Sequence, residues 1–158
     1  MSAAAALPVI PFTAVMKSST WLFPLVETLH IWGFVILVGS VMMFDLRVLG
    51  LARDISVKAL ARFLLPISLL AVLIVIPSGV LLFATQPNEM LANRVFMLKL
   101  LLICLSAGNA LAFHMGPYTT VAAWDVGKTA PPMARVMTAL SILLWLSVML
   151  CGRMLAYV

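Results

Sequence analysis

Residues 21–44 read WLFPLVETLHIWGFVILVGSVMMF, and the only ionisable side chains in this stretch are Glu27 and His30. An apolar run of this length is what an α-helix needs to cross the hydrocarbon core of a bilayer. Pro24 lies in the first turn, where proline is tolerated because the first amide groups of a helix have no acceptor within it. The stretch therefore predicts a membrane-spanning helix.

Three further apolar runs follow, at residues 63–84, 95–114 and 136–156. Of the 158 residues, 65% are hydrophobic and only 9% are charged, whereas soluble domains carry about 25% charged residues. The connections between the runs are short, so consecutive spans should be antiparallel neighbours. The sequence therefore predicts an all-α, transmembrane, up-down four-helix bundle. It forms a single membrane domain, residues 21–158, after an interfacial N-terminal segment, residues 1–20.

The net charge of +5 comes from basic residues that lie mainly in the connections between the spans. This placement is the usual signal of membrane orientation, and it argues against nucleic-acid binding. The connections after spans one and three carry six basic residues: Arg47, Arg53, Lys58, Arg62, Lys128 and Arg135. The other side carries three: Lys17, Arg94 and Arg153. In a bacterium, this predicts a multi-pass protein of the cytoplasmic (inner) membrane with both termini in the periplasm. Residues 54–62, DISVKALAR, are also expected to form a short amphipathic helix on the membrane surface.

Ionisable side chains inside a span are costly, and by default they mark function. Glu27 and His30 are three residues apart and so share one face of a helix. Lys99 lies in span three, which runs in the same direction as span one. The rise of a helix puts all three in the outer half of the membrane, at a depth similar to the Pro-Ser-Gly stretch at residues 77–79. These groups could form one cluster. Alternatively, the amino group of Lys99 extends to the outer interface.

A second set of polar residues lies at the cytoplasmic end of the predicted bundle. Asp45 follows Glu27 by five whole helical turns and therefore lies on the same face. Asp45, Arg47 and His114 could meet there, and Asn109 lies between the two sets on span three. Other interpretations stay open. Asp45 and Arg47 could form a helix-end ion pair, Asn109 could join two helices, and His114 could be interfacial.

A histidine within a helix bundle suggests a haem ligand, a proton relay or a metal ligand. For haem b, His30 would be the axial ligand, Glu27 would orient its ring, and Lys99 and Arg94 would neutralise the propionates. His114 could also bind the iron, but helix rise puts it roughly 15 Å from His30 along the membrane normal. Paired ligation would then need strongly tilted helices or ligands from two subunits. A dedicated copper or zinc site is disfavoured because too few ligands lie together.

Two stretches resemble a group of small bacterial four-helix membrane proteins without an assigned function: VETLHIWGFVILVGSVMMFDLRVLG in span one and RVFMLKLLLICLSAGNALAFH in span three. The resemblance rests on E-x-x-H, D-L-R-x-L-G and K-L-L-L. The pattern is more distantly similar to HemJ-type protoporphyrinogen oxidases at His30, Arg47 and Lys99. That similarity implies haem b bound by His30, with His30 and Lys99 important for activity.

The sequence departs from the HemJ pattern around Asp45, where those proteins carry a Pro-Arg motif, and it lacks their later first-span histidine. The K-L-L-L stretch also resembles CopD-type copper-resistance proteins, although the Met and His richness expected for copper handling is missing. The resemblance therefore favours haem binding over either activity.

These observations lead to three hypotheses. The first is a homo-oligomeric b-type haem protein that transfers electrons or senses redox state, with a quinone or another redox partner. The second is a HemJ-like protoporphyrinogen oxidase. The third is a cofactor-free proton or ion path, or an assembly subunit of a membrane complex. In each, the site is expected between spans one and three, towards the outer half.

Overall fold

The structure, a computed structural model, describes residues 15–16, 18–155 and 157. It confirms the predicted all-α fold, since the described residues contain no strand. The helices are α1 (Leu22–Leu49), α2 (Val57–Thr85), the short α3 (Pro87–Ala92), α4 (Arg94–Met115) and α5 (Pro132–Met154), with a 3₁₀ segment at Pro117–Ala123. The helices α1, α2, α4 and α5 are each long and apolar enough to cross a membrane. Most of the predicted interfacial segment, residues 1–20, lies outside the described residues.

The second span begins earlier than the sequence predicts. Ser56 caps α2, because its hydroxyl accepts the backbone N–H of Ala59 at 3.1 Å. Residues 57–62 are therefore the first turns of α2, and the separate surface helix expected at residues 54–62 is not formed. The helix then continues through Pro66 and Pro77 to Thr85.

The four long helices form a ring that is open on one side. α1 packs along α2, α4 packs along α5, and α1 and α5 join the two pairs. The backbones of α2 and α4 do not approach each other closely among the described residues. The rings of Phe83 and Phe96 stack across this gap, with 5.7 Å between their centroids. The spans α1 and α4 are diagonal to each other, so the space between them is bounded by all four helices.

The two ends of the bundle differ in packing. The inner end is defined here by the connections at residues 50–56 and 116–131, and the outer end by α3. At the inner end, Val48, Val57, Phe113 and Trp124 belong to one buried apolar cluster. This cluster fixes the ends of α1, α2 and α4 relative to one another, which in turn holds the side chains just above it in place.

The helix faces that point away from the bundle are almost entirely apolar. Large side chains such as Trp32, Leu73 and Val136 are each about two-thirds exposed, at 68%, 70% and 67%. A soluble protein rarely exposes apolar surface over whole helices. The exposed faces therefore fit contact with lipid, as expected for a multi-pass membrane protein.

Candidate functional site

The centre of the bundle contains a cavity of about 460 Å³ lined by side chains from all four long helices. It is open on the side where α2 and α4 are apart. Leu69 and Ile76 on α2 line the cavity and are also 57% and 59% exposed. Ala107 and Ala110 line it from α4 and are exposed as well. Because this side of the ring is apolar and faces outward, the cavity communicates with the lipid-facing surface.

Asp45 is the acidic group on the cavity wall. Its side chain is only 4% exposed, and its Oδ2 atom has no hydrogen-bond partner among the described residues. The hydroxyl of Ser141 on α5 is the polar group that approaches the carboxyl. Leaving a buried carboxyl oxygen without a partner is costly, and such atoms are rare in native proteins. Oδ2 of Asp45 is therefore a candidate contact for a bound molecule.

The other polar groups around the cavity bond within the protein. Ser40 donates to Ile36 O at 2.6 Å and accepts the hydroxyl of Ser68 across the α1–α2 contact at 3.0 Å. Thr138 donates to the carbonyl of Ala134 at 3.0 Å. These hydroxyls donate to helix carbonyls, whereas Oδ2 of Asp45 has no hydrogen-bond partner among the described residues.

Asn109 connects the third and fourth spans. Its Nδ2 donates to the carbonyl of Met137 at 3.0 Å, and its side chain lines the cavity. Ser106, one turn earlier, donates instead to Leu102 O of its own helix at 2.8 Å. Asn109 therefore forms a hydrogen bond between two helices, which is the role that one interpretation of the sequence gave it.

Aromatic rings form the two ends of the cavity. Phe34 on α1 meets Trp145 on α5 edge to face, with 6.0 Å between ring centroids. Near Asp45, Phe44 meets Phe113 on α4 in the same way at 5.7 Å. The cavity is thus an apolar, partly aromatic chamber, and Asp45 near its inner end is the one carboxyl group that the described residues place on its wall.

His114 lines the same cavity, at the inner end of α4. Its Nδ1 lies 2.8 Å from the carbonyl of Ala110, and its ring centroid lies 5.1 Å from that of Tyr118. A carbonyl can only accept, so Nδ1 carries the hydrogen. The structure therefore brings Asp45, Asn109 and His114 to one chamber.

His30 lies outside that chamber, towards the outer end. Its Nδ1 is 3.1 Å from the carbonyl of Val75 and 3.0 Å from the hydroxyl of Ser78. The Ser78 hydroxyl donates to Ile74 O at 2.6 Å, so it also acts as an acceptor for His30. Nδ1 therefore carries the hydrogen, and in the neutral ring Nε2 keeps its lone pair.

A glycine makes room for this histidine. A Cβ atom placed on Gly79 would lie 3.0 Å from Cε1 of His30. The Pro-Ser-Gly stretch that the sequence analysis placed at the depth of His30 is thus in direct contact with it.

Lys99 belongs to the same outer group. It lies close enough to His30 for their charges to interact. Its Nζ approaches α5, where a Cβ atom on Gly152 would be 3.6 Å away. His30, Ser78 and Lys99 thus come from three different spans and converge near the outer end.

The remaining predicted residues lie elsewhere. Glu27 is exposed on α1, and Arg94 is exposed at the start of α4, beside Glu89. Arg47 is 4% exposed and donates to the carbonyls of the inner connections. Among the described residues, no three or more His, Cys, Asp or Glu side chains are placed to hold a metal ion.

Spans two and four also contribute to the cavity wall, and the sequence carries little signal of their contributions. Ser68, Ser141 and Trp145 line the cavity from these spans. On α5, Thr138 and Ser141 are three residues apart, and this spacing is a weak signal of a polar face. However, such hydroxyls often donate only to carbonyls of their own helix. The carboxyl of Asp45 was the stronger signal, and it lies in this chamber.

The chain matches no protein-family model, no curated protein and no solved structure.

Proposed function

We propose that the protein binds a lipophilic small molecule, taken from the bilayer, in the central cavity. The observation that carries the proposal is the unpartnered Oδ2 of Asp45 on the wall of an otherwise apolar chamber of about 460 Å³. Small-molecule sites are concave, mostly apolar and of about 300–1,000 Å³, with a few polar groups that fix orientation. The chamber has these properties.

The opening between α2 and α4 supplies the route of entry. A molecule dissolved in the hydrocarbon core reaches the chamber past Leu69 and Ala107, without passing through the packed inner end. Because the exposed residues at this opening are apolar, entry from lipid costs less desolvation than entry from water.

Native mass spectrometry of the protein purified in mild detergent tests the proposal. Wild-type protein should retain a small molecule, whereas Ala107→Phe, which fills the opening, should lose it. Ala112→Phe is the matched control because Ala112 is also exposed on α4 but does not line the cavity. A wild-type protein that carries no bound molecule, even after incubation with membrane extract, would contradict the proposal.

A second candidate, a b-type haem protein that transfers electrons or senses redox state, is favoured by the geometry of His30. A metal-ligating histidine usually donates its other ring N–H to a carbonyl or carboxylate. His30 has this arrangement, since Nδ1–H donates to Val75 and Nε2 remains available. Lys99, which lies in the same outer group as His30, would supply a positive charge for a haem propionate. His114 lies in the separate chamber, so His30 would need a different second ligand or one from another subunit.

An absorption spectrum of protein purified from haem-replete cells tests this candidate. The expected result is a Soret band that His30→Ala removes and His114→Ala leaves in place. A colourless wild-type preparation would rule the candidate out. The oxidase and proton-path hypotheses remain predictions, as does homo-oligomerisation.

We also propose that the inner end faces the cytoplasm. The support is the excess of basic residues there, including Arg53 and Lys58. Single cysteines at exposed positions near each end, such as Lys128→Cys and Glu89→Cys, should react with an impermeant thiol reagent from opposite sides of inner-membrane vesicles.

A further inference from the structure

We infer that the ligand of the central cavity is a lipophilic cation whose charge is met by Asp45. This inference rests on the proposed binding function and adds the chemical class of the ligand. It follows from three features of the chamber: its uncompensated carboxyl, its aromatic walls and its access from the bilayer.

No cationic side chain in the described part of the protein bonds to the carboxyl of Asp45. Arg47, two residues away, directs its donors to the carbonyls of Arg53, Ile55 and Asp125. Lys99 lies with His30 in the outer group. A carboxylate buried without a cation is strongly disfavoured, and a bound positive charge removes that penalty.

Among the described residues that line the cavity, His114 is the second titratable side chain. Its Nδ1–H is used by the carbonyl of Ala110, within its own helix. Neither ring nitrogen of His114 bonds to Oδ2 of Asp45, because that atom has no partner among the described residues.

The rings around Asp45 favour an organic cation over an inorganic one. Two edge-to-face aromatic pairs line the same chamber as Asp45: Phe44 with Phe113 and, farther out, Phe34 with Trp145. Aromatic faces attract cations, and the attraction grows when water is excluded. A metal ion would instead require several oxygen or nitrogen ligands, and no three or more His, Cys, Asp or Glu side chains of the described residues are placed to hold one.

The test uses two probes of nearly the same shape that differ in charge. Methyltriphenylphosphonium is a lipophilic cation, and methyltriphenylsilane is its neutral counterpart. Binding to the protein in detergent is followed by equilibrium dialysis and by quenching of the intrinsic tryptophan fluorescence, to which Trp145 in the chamber contributes, with Asp45→Asn as the variant. Asp54→Asn is the matched control because Asp54 is an exposed acid outside the chamber.

The phosphonium should bind wild-type protein and Asp54→Asn alike, and Asp45→Asn should weaken it roughly 30-fold or more, as loss of one partner of a buried charge pair does. The silane should bind more weakly than the phosphonium to wild-type protein. The comparison of the two probes on wild-type protein needs no variant, so it stands even if Asp45→Asn folds poorly.

Three results would overturn the inference. Equal phosphonium affinity for wild type and Asp45→Asn would exclude a role of the carboxyl. Binding of the silane without binding of the phosphonium would exclude a cation while leaving the proposed binding function intact. If neither probe binds and wild-type protein also purifies without a bound molecule, both the inference and the proposed function fail.

Discussion

Arg47 on α1 donates through an Nη atom to the backbone carbonyl of Asp125, at 2.9 Å, although the two residues are far apart in the sequence. The same guanidinium reaches the carbonyls of Arg53 at 3.0 Å and Ile55 at 2.6 Å. One buried side chain thus holds together the two long connections at the inner end. Its planar fork can serve three carbonyls at once, which a lysine cannot do in the same geometry.

Replacing Arg47 by lysine should destabilise the fold without touching the cavity. At least one buried carbonyl would lose its donor, which costs about 1–3 kcal/mol of unfolding free energy. Thermal unfolding in detergent measures the loss. Arg53→Lys is the control, because Arg53 is exposed and its Nε serves only Gly50 O at 3.2 Å. Equal melting temperatures for the two variants would contradict the role assigned to Arg47.

Asp125 should make the inner end sensitive to acid. The backbone N–H of Lys58, which donates to its carboxylate at 2.8 Å, holds the pKa of Asp125 below its usual value, and the hydroxyl of Ser56 adds to this. A carboxyl whose folded pKa is depressed stabilises the fold fully above its unfolded pKa, about 3.9. The contribution is lost as the pH falls through the folded pKa. The difference in melting temperature between wild type and Asp125→Asn should be constant above about pH 5 and shrink below about pH 4. A difference that grows on acidification would contradict this.

Gly79→Ala should disturb His30. The added Cβ would lie 3.0 Å from Cε1 of the ring, so the imidazole must move or the helices must separate. Overpacking of this kind typically costs about 1–3 kcal/mol. Gly108→Ala, where a Cβ would meet nothing within 4 Å, should have no such cost because alanine is the better helix former. Melting temperatures of the pair give the comparison, and a Gly79→Ala protein as stable as Gly108→Ala would argue against the close contact.

Asn109→Ala should loosen the α4–α5 pair. It removes the bond from Nδ2 to Met137 O, and interhelical hydrogen bonds in membrane proteins contribute about 0.6 kcal/mol on average, with a maximum of about 1.7. Ser106→Ala removes a hydroxyl that bonds only within α4 and should cost less. Denaturation in mixed micelles measures both. A larger loss for Ser106→Ala would show that Asn109 does not join the helices.

The sequence predicted the four spans because length and hydropathy alone determine whether a helix can cross a membrane. It also predicted that His30, Lys99 and the stretch at residues 77–79 lie at one depth, since helix rise is constant. The structure places all of them near the outer end. Helix rise does not determine which neighbouring helix covers a given face of α1 at each depth in the membrane. Glu27 and Asp45 share a face of α1 by spacing, yet Glu27 is exposed and Asp45 is buried.

The chamber itself could not be predicted from spacing. It exists because α2 and α4 stay apart while α1 and α5 hold the two pairs together. Such an arrangement depends on packing between distant residues, for example the rings of Phe44 and Phe113. The sequence around Ser141 does not show whether its hydroxyl faces a cavity or donates to a carbonyl of its own helix.

The unsealed side between α2 and α4 has a consequence for how occupancy must be described. A binding chamber that opens into the bilayer exchanges its ligand with the lipid phase. The concentration that determines its occupancy is therefore the mole fraction of the ligand among the lipids. Acyl chains compete for the same apolar space whenever the ligand leaves. At a fixed total amount of ligand, adding lipid lowers this mole fraction, so occupancy will fall as the ratio of lipid to protein rises. An affinity measured in one detergent therefore applies only at the detergent-to-protein ratio of that measurement.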